Sequence, residues 1–278
     1  MIKVALPNKG QLFDPTMDVL ASCGYKVSKS LRSLSTLDSD NQVEFYFLRP
    51  GDIPLYVANG ILDAGVTGKD FVAEKGVNPS CLLDLNYGAS KLCAAVPDAH
   101  PAKALADLKG AKIATSFPNI VRGKLPGNEL VELEGAVEIS IKLGIADAIV
   151  DIVETGSTLK AAGLRIIGES LFQSRAALYA HPGRENLDEV LILKSRIEGK
   201  LLAQEYMMVE YDAPEALLKA ACAITPGIES PTVMSLEKSG WFAVKAMIKR
   251  RESQRILDTL SKLGCKGIML TAVDSIRI

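Results

Sequence analysis

The chain has almost no net charge, few histidines and no paired cysteine motif, and each shortage removes a class of function. Its 32 basic and 33 acidic residues leave a formal charge of -1. Binding along a phosphate backbone draws on a basic excess, so nucleic acid is excluded as the main partner, while a small polyanion stays open. Five cysteines (Cys23, Cys81, Cys93, Cys222, Cys265) are odd in number and never form C-x-x-C. With only His100 and His181 beside them, no zinc site is expected and the thiols are read as reduced core residues. No apolar run approaches the roughly 20 residues of a membrane-spanning helix. The opening MIKVALPNKG has neither the basic start nor the apolar stretch of an export signal. A cytoplasmic protein with no membrane partner is expected.

What is present is apolar substance: 48% hydrophobic residues over 278 positions, enough for two or three domains. Two stretches look alike. NGILDAGVTG (59–68) and LGIADAIVDIVETG (143–156) share a helix-stopping glycine, Ile, Asp, Ala, an apolar strand and then Thr-Gly. Gly60 and Gly144 are the left-handed helix stops, and Asp63 and Asp147 follow at the same offset. Upstream, KVALPNKG (3–10) and KIATSFPN (112–119) each run an apolar strand into a Pro-Asn loop. The pattern predicts two α/β lobes of like design facing across a cleft, with ligands outside the carboxyl ends of the strands.

TMDVLASCG reads as a helix stopped by Gly24, and VEFYFL and AGVTG as buried strands. ESLFQSRAALYAHPG (169–183) is expected to include a strand crossing back toward the first lobe. Val137, Ile139, Ile141 and Leu143 alternate like a strand, yet Gly144 reads as a helix cap, and helix is the reading preferred by analogy with Gly60. From about residue 206 the order becomes βαββαβ, a ferredoxin-like module. The expected division is 1–91 with 181–205 as lobe I, 92–180 as lobe II and 206–278 as the module.

DIVETGSTL (151–159) ends an apolar strand with a carboxylate and then almost no side-chain bulk. Small residues let successive N–H groups converge on one point, and the helix that follows favours an anion at its N-terminus. A carboxylate there accepts from sugar hydroxyls or holds Mg²⁺. Phosphate, ribose hydroxyls and magnesium together describe 5-phosphoribosyl 1-diphosphate. The plainer alternative is a helix N-cap by Thr155 or Ser157.

EISIKLGIADAIVDIVETGSTL (138–159) resembles the signature of the ATP phosphoribosyltransferase family. VALPNKGQL, VEFYFLRPGDIPLYVANGILDAGVTGKD, KIATSFPNIVR and MMVEYDAPEALLKAACAITPGIESPT extend the resemblance over nearly the whole chain. It implies a two-lobed, type II periplasmic-binding-protein-like catalytic core and a C-terminal ferredoxin-like regulatory domain, the long form of the family. The implied reaction joins adenine N1 of ATP to 5-phosphoribosyl 1-diphosphate with loss of diphosphate, the first step of histidine biosynthesis, with Mg²⁺ as cofactor.

Carried over residue by residue, the resemblance puts the phosphoribosyl loop on Asp151, Glu154, Thr155, Gly156, Ser157, Thr158 and Leu159. Phosphoribosyltransferases of the commoner fold have two adjacent acids here; in this chain Val150 precedes Asp151 and the next acid is Glu154. ATP contacts are implied for Lys9, Gly10, Arg49, Thr67, Gly68 and Asp70, with Lys9, Arg49 and Asp151 as catalytic residues. Three have a plain alternative: Lys9 a solvated charge, Arg49 a partner of Asp52, Asp70 a helix cap. Inhibition by histidine is implied at Asp212, Ile228, Ser230, Thr232 and Gly267, in an assembly of dimers and hexamers. Asp212 and Glu215 also have the spacing of a capping box, and glycine at 267, where alanine is expected in the family, leaves a looser pocket. The contrasting readings are a two-lobed solute-binding protein or sensor without catalysis, and an amino-acid-sensing regulatory protein.

Overall fold

The alternating VEFYFL and the unbroken apolar AGVTG become strands of one sheet in the computed structural model, which describes residues 1–28, 33–153 and 156–277. The chain divides into two units, Met1–Lys194 and Ser195–Ile278. The first lobe of unit one holds β1 (Ile2–Pro7), β2 (Ser35–Asp38), β3 (Val43–Leu48), β4 (Ala64–Gly68) and β5 (Ser80–Asp84). The second holds β6 (Ser90–Pro97), β7 (Lys112–Thr115), β8 (Glu129–Glu132), β9 (Ala148–Val153) and β10 (Leu164–Ser174). β11 (Ala176–Ala180) then returns to the first lobe, antiparallel to both β4 and β5.

The sheet orders are β2-β3-β1-β4-β11-β5 and β10-β6-β9-β7-β8. Number each lobe's own strands from one and let n be the strand that arrives from the other lobe. Both sheets then read 2-1-3-n-4, with β2 as an added edge strand in the first. In each, n is the antiparallel member among parallel neighbours. This is the type II periplasmic-binding-protein-like plan. The central strands β4 and β11 are buried along their whole length, as covering by helices on both faces requires.

Helices α1 (Phe13–Ser22), α2 (Ile53–Ala58) and α3 (Lys69–Lys75) belong to the first lobe, α4 (Pro118–Lys124), α5 (Ile139–Lys142) and α6 (Ser157–Ala161) to the second. The ambiguous segment is helical: Val137 is fully buried while Ile139 and Leu143 are exposed, which no strand alternation produces. The twin glycines behave alike, with φ of +69° at Gly60 and +67° at Gly144. So do the twin aspartates. The carboxylate of Asp63 accepts the Lys3 N–H at 2.7 Å, and that of Asp147 accepts the Lys112 N–H at 2.9 Å.

Two expected boundaries are corrected. Residues 176–180 lie in the first lobe, so the return crossing falls at Arg175 rather than at 180. The small apolar run AALYA fits between β4 and β5, and no Gly or Pro marks the crossing in sequence. Helix α7 (Asp188–Ala203) crosses the division between units, so residues 195–205 go with the second unit rather than with lobe I. There the Arg250 guanidinium donates to the Gln204 carbonyl at 2.8 Å, and the Ile276 N–H to that of Gly199 at 3.1 Å.

The second unit continues with β12 (Tyr206–Pro214), α8 (Glu215–Ile224), β13 (Thr232–Ser235), β14 (Trp241–Lys249), α9 (Ser253–Leu263) and β15 (Lys266–Ala272), in sheet order β13-β14-β12-β15. This is the expected ferredoxin-like βαββαβ module. Val209, Tyr211 and Ala213 point to its core, where the Tyr211 and Thr225 hydroxyls share a 2.7 Å hydrogen bond. Among the described residues no helix is long and apolar enough to cross a membrane.

Candidate active site

Three cavities meet at the carboxyl ends of the strands in unit one. The first, about 330 Å³, opens where β9 ends and is lined by Asp151, Glu138 and the segment Gly156–Leu159. Gly156 takes φ of +74°, a conformation L side chains avoid, and stands at the N-cap of α6, whose first residues line the cavity. Leu159 sends its side chain into the lobe core, leaving its backbone for the loop. Asp151 is half-buried. Burial pushes its carboxyl above the ordinary range; a backbone hydrogen bond from Ile152 opposes this, and the charge of Glu138 adds to it. Glu154 and Thr155 lie outside the described residues.

The second cavity, about 490 Å³, is mostly apolar and includes Lys9, Gly10, Gly68, Asp70, Phe71 and Phe117. The rings of Phe71 and Phe117, one from each lobe, lie 5.8 Å apart at 35°. Asp70 is buried in its wall. The Ser174 hydroxyl donates to Asp70 Oδ1 at 2.8 Å and accepts the Asp70 N–H at 3.1 Å. Burial raises the Asp70 carboxyl, with the Ser174 hydrogen bond opposing. A Cβ on Gly68 would collide with Asp70 Oδ1, so glycine there gives the carboxylate its place.

The remaining ATP-side expectations divide. Lys9 and Gly10 line the apolar cavity, Gly10 with φ of +79°. Thr67 does not: it is fully buried and its hydroxyl donates to the Pro50 carbonyl at 2.7 Å. Arg49 is exposed beside Pro50, and among the described residues it forms no ion pair with Asp52. Glu138, Phe71 and Phe117 were missed from the sequence. Phe71 and Phe117 adjoin GVTGKD and SFPN, so position after a strand was their available signal.

The third cavity, about 620 Å³, is polar and carries Lys69, Lys91, Arg175 and Asp84. Lys69 Nζ lies 2.6 Å from Asp84 Oδ1. The Lys69 ammonium first, and the Arg175 charge after it, hold the Asp84 carboxyl below its usual range against the effect of burial.

In the second unit, Asp212 and Gly267 are brought together. Gly267 has φ of +57°, and a Cβ on it would lie 3.3 Å from Asp212 Oδ2. An alanine at 267 therefore meets both strain and the carboxylate. Thr232, on β13, is separated from β12 by β14, a span of roughly 10 Å. Ile228, Ser230 and Thr232 are exposed. The capping-box alternative fails, because Pro214 occupies the N-cap of α8 and no side chain caps it.

Comparison with known proteins decides the family. The sequence model described as ATP phosphoribosyltransferase matches residues 49–199, and that described as HisG, C-terminal domain, matches 203–275. The chain belongs to the ATP phosphoribosyltransferase family. It is 41% identical over 287 residues to the ATP phosphoribosyltransferase of Arthrobacter sp. (strain FB24), covering 100% of both chains. It is 43% identical over 283 residues to that of Salinibacter ruber, again covering 100% of both. A solved chain from the ATP phosphoribosyl transferase (HisG:HisZ) complex of Thermotoga maritima superposes with a TM-score of 0.61 at 28% identity. That match covers 71% of this chain and 97% of the other. Membership makes the chain a transferase of the pentosyl type, and the reading of a two-lobed binding protein or sensor without catalysis is not favoured.

Proposed function

We propose that the chain transfers the phosphoribosyl group of 5-phosphoribosyl 1-diphosphate to N1 of the adenine ring of ATP, opening histidine biosynthesis. The observation that carries this is the adjacency of an amide-rich turn with its carboxylate, Asp151, and an apolar cavity walled by Phe71 and Phe117. Ile152 is common to both cavities.

The amides of Gly156–Leu159 receive the 5-phosphate, with Glu154 and Thr155 completing the loop. Asp151 accepts from the ribose hydroxyls. Adenine enters the apolar cavity, where the Asp70 carboxylate accepts from the exocyclic amine, and Lys9 and Arg49 meet the polyphosphate. The adenine N1 lone pair forms the N1–C1′ bond while the C1′–O bond breaks and its electrons leave on diphosphate. N1 of neutral adenine already carries the attacking pair, so no general base is required. The protein aligns two polyanions and stabilises positive charge growing on the sugar, for which the carboxylate of Asp151 is suited.

Magnesium fits the residues present. Among the described residues no group of three or more His, Cys, Asp or Glu could hold a metal ion, but Asp151 and Glu138 share the loop cavity. One or two carboxylates plus substrate phosphates is a usual environment for this strongly hydrated ion. When bound it would neutralise diphosphate charge, with Asp151 and Glu138 as its protein-side oxygens.

Histidine is proposed as an inhibitor acting on the second unit, through Asp212 and Gly267 with Ile228, Ser230 and Thr232. An inhibitor of that kind must bind a less active state more tightly. Dimers and hexamers, and a cytoplasmic location, complete the reading. Incubation with ATP, 5-phosphoribosyl 1-diphosphate and Mg²⁺, followed by near-ultraviolet absorbance of N1-substituted adenine, tests the activity. No product above an enzyme-free control defeats it. A rate unchanged at millimolar histidine defeats the regulatory part.

A further inference from the structure

Helix α4 of the second lobe begins without a cap of its own. Its N-cap is Phe117, whose ring lines the apolar cavity, and its first residue, Pro118, has no N–H. The next two amides, those of Asn119 and Ile120, are the ones an N-cap side chain ordinarily receives. A phenyl ring cannot receive them. They donate instead to the other lobe: the Asn119 N–H to Glu74 Oε1 and the Ile120 N–H to Glu74 Oε2, both at 3.0 Å. The Asn119 side chain completes the contact. Its Nδ2 donates to the Glu74 carbonyl at 2.8 Å, while its Oδ1 accepts from the Arg122 guanidinium at 3.0 Å. The Pro-Asn pair of SFPN thus forms a joint between the lobes.

The placing of that acid is the second observation. Glu74 is 7% exposed, and among the described residues it forms no ion pair. Burying a carboxylate is unfavourable unless hydrogen bonds replace its water. Glu74 also sits in the last turn of α3, the end at which negative charge disfavours its own helix, yet it faces the end of α4 that negative charge favours. The charge therefore serves the second lobe. Asp70 and Glu74, four apart, share a face of α3, and Phe71 lies three from Glu74. Asp70 meets Ser174 at the end of β10, and Phe71 packs on the second lobe's core beside Phe117. One face of α3 is thus fastened to the other lobe along its length, with Asp70 and Phe71 lining the apolar cavity and Glu74 behind them.

Taking the apolar cavity as the adenine site, as in the reading above, we propose that Glu74 is a positioning residue for the nucleotide. It ties α3 to α4 so that Phe71 and Phe117 stand at a set separation before ligand arrives. It touches no substrate and acts through Phe117. A cavity already formed spares binding the cost of ordering its walls. Without the carboxylate, the first turn of α4 turns to water for its acceptors, and the lobes lose a joint beside the two rings.

The test uses the full-length protein with ATP and Mg²⁺. Glu74→Ala leaves room for water at the two amides, and Glu74→Gln keeps one acceptor oxygen at the same reach; circular dichroism with thermal melting checks folding. ATP affinity in calorimetry is expected to fall about tenfold in Glu74→Ala and about threefold in Glu74→Gln, with KM for ATP rising in parallel. The kcat and the KM for 5-phosphoribosyl 1-diphosphate should stay within about twofold. Hydrogen exchange at the Asn119 and Ile120 amides should quicken in the same order. A lower melting temperature with unchanged ATP affinity and KM would make Glu74 a stabilising cap only, and would overturn the proposal. Equal losses for both substrates would mean general damage to the cleft and overturn it too. If Glu74→Ala does not fold, Glu74→Gln decides alone, and ATP affinity equal to the parent's overturns the joint. A parent whose ATP affinity depends on Glu74 but which forms no product sinks the reaction reading while supporting the joint. An active parent with unaffected variants sinks the joint alone, and a parent that neither binds ATP nor forms product sinks both.

Discussion

The two lobes of unit one use the same strand order and the same helix-stop and strand-cap devices, and they diverge where their third strands end. Asp63 and Asp147 stand 84 residues apart, and the same offset pairs Thr67 on β4 with Asp151 on β9. In the first lobe the position is threonine, fully buried, with its hydroxyl spent on Pro50. In the second it is a half-buried carboxyl whose pKa burial raises. The strand ends differ to match. β4 runs straight into α3, whereas β9 ends at Val153 and the next described helix, α6, begins after Gly156. One scaffold thus places one strand end at the apolar cavity and the other at the cavity lined by Asp151 and Gly156–Leu159. The lobe plan itself is satisfied by threonine, so the unfavourable burial of Asp151 is not something the fold requires.

The sharpest way to break this comparison is to exchange the twins' chemistry. Asp151→Asn should lower kcat/KM for 5-phosphoribosyl 1-diphosphate by about 100-fold. Thr67→Val should leave turnover within about threefold but cost about 1–2 kcal/mol of stability by orphaning the Pro50 carbonyl. Steady-state kinetics and denaturant titration of both variants decide it, and equal kinetic losses would dissolve the distinction. The strand caps come next. Asp63 accepts from Lys3 and also pairs with Arg184, and it is more buried than Asp147. Asp63→Ala should therefore cost about 2 kcal/mol, and Asp147→Ala less; the reverse order in melting would show that burial and the Arg184 pair do not set the strength of the cap.

The smallest effect is in pH. Burial disfavours ionised Asp151, so its contribution to stability is complete below the ordinary pKa of 3.8, declines as pH rises through the raised folded value, and stays flat above it. Asn carries no such loss. The gain in melting temperature of Asp151→Asn over the parent should be larger near pH 7 than near pH 4, measured without ligands. A gain that shrinks with rising pH would contradict the direction of the shift.

Much of this was readable in the linear chain because it is written in local chemistry. Gly60, Gly144 and the aspartates three residues after them announce the lobe repeat, since left-handed helix stops and strand caps involve near neighbours. The βαββαβ order of the second unit follows from periodicity, with Gly264 as the stop of its last helix. DIVETGSTL draws the eye through an acid followed by small residues, the pattern on which the proposed anion site rests. Less visible were Thr67, whose partner Pro50 lies on another segment, and the extent of lobe II, because RAALYA crosses between sheets without a turn residue.

The local sequence by itself determined the two-lobe repeat, the ferredoxin-like module, the acid-and-amide loop and, through a resemblance that runs the length of the chain, the family. Only the tertiary structure decided which residues meet: Phe71 with Phe117 and Lys91 with Arg175 in shared cavities, Asp70 with Ser174 through hydrogen bonds. Those pairs lie 46, 84 and 104 positions apart, and no local rule of helix, strand or turn reaches across such separations. Their meeting depends on where two sheets place the ends of their strands, which is a property of packing.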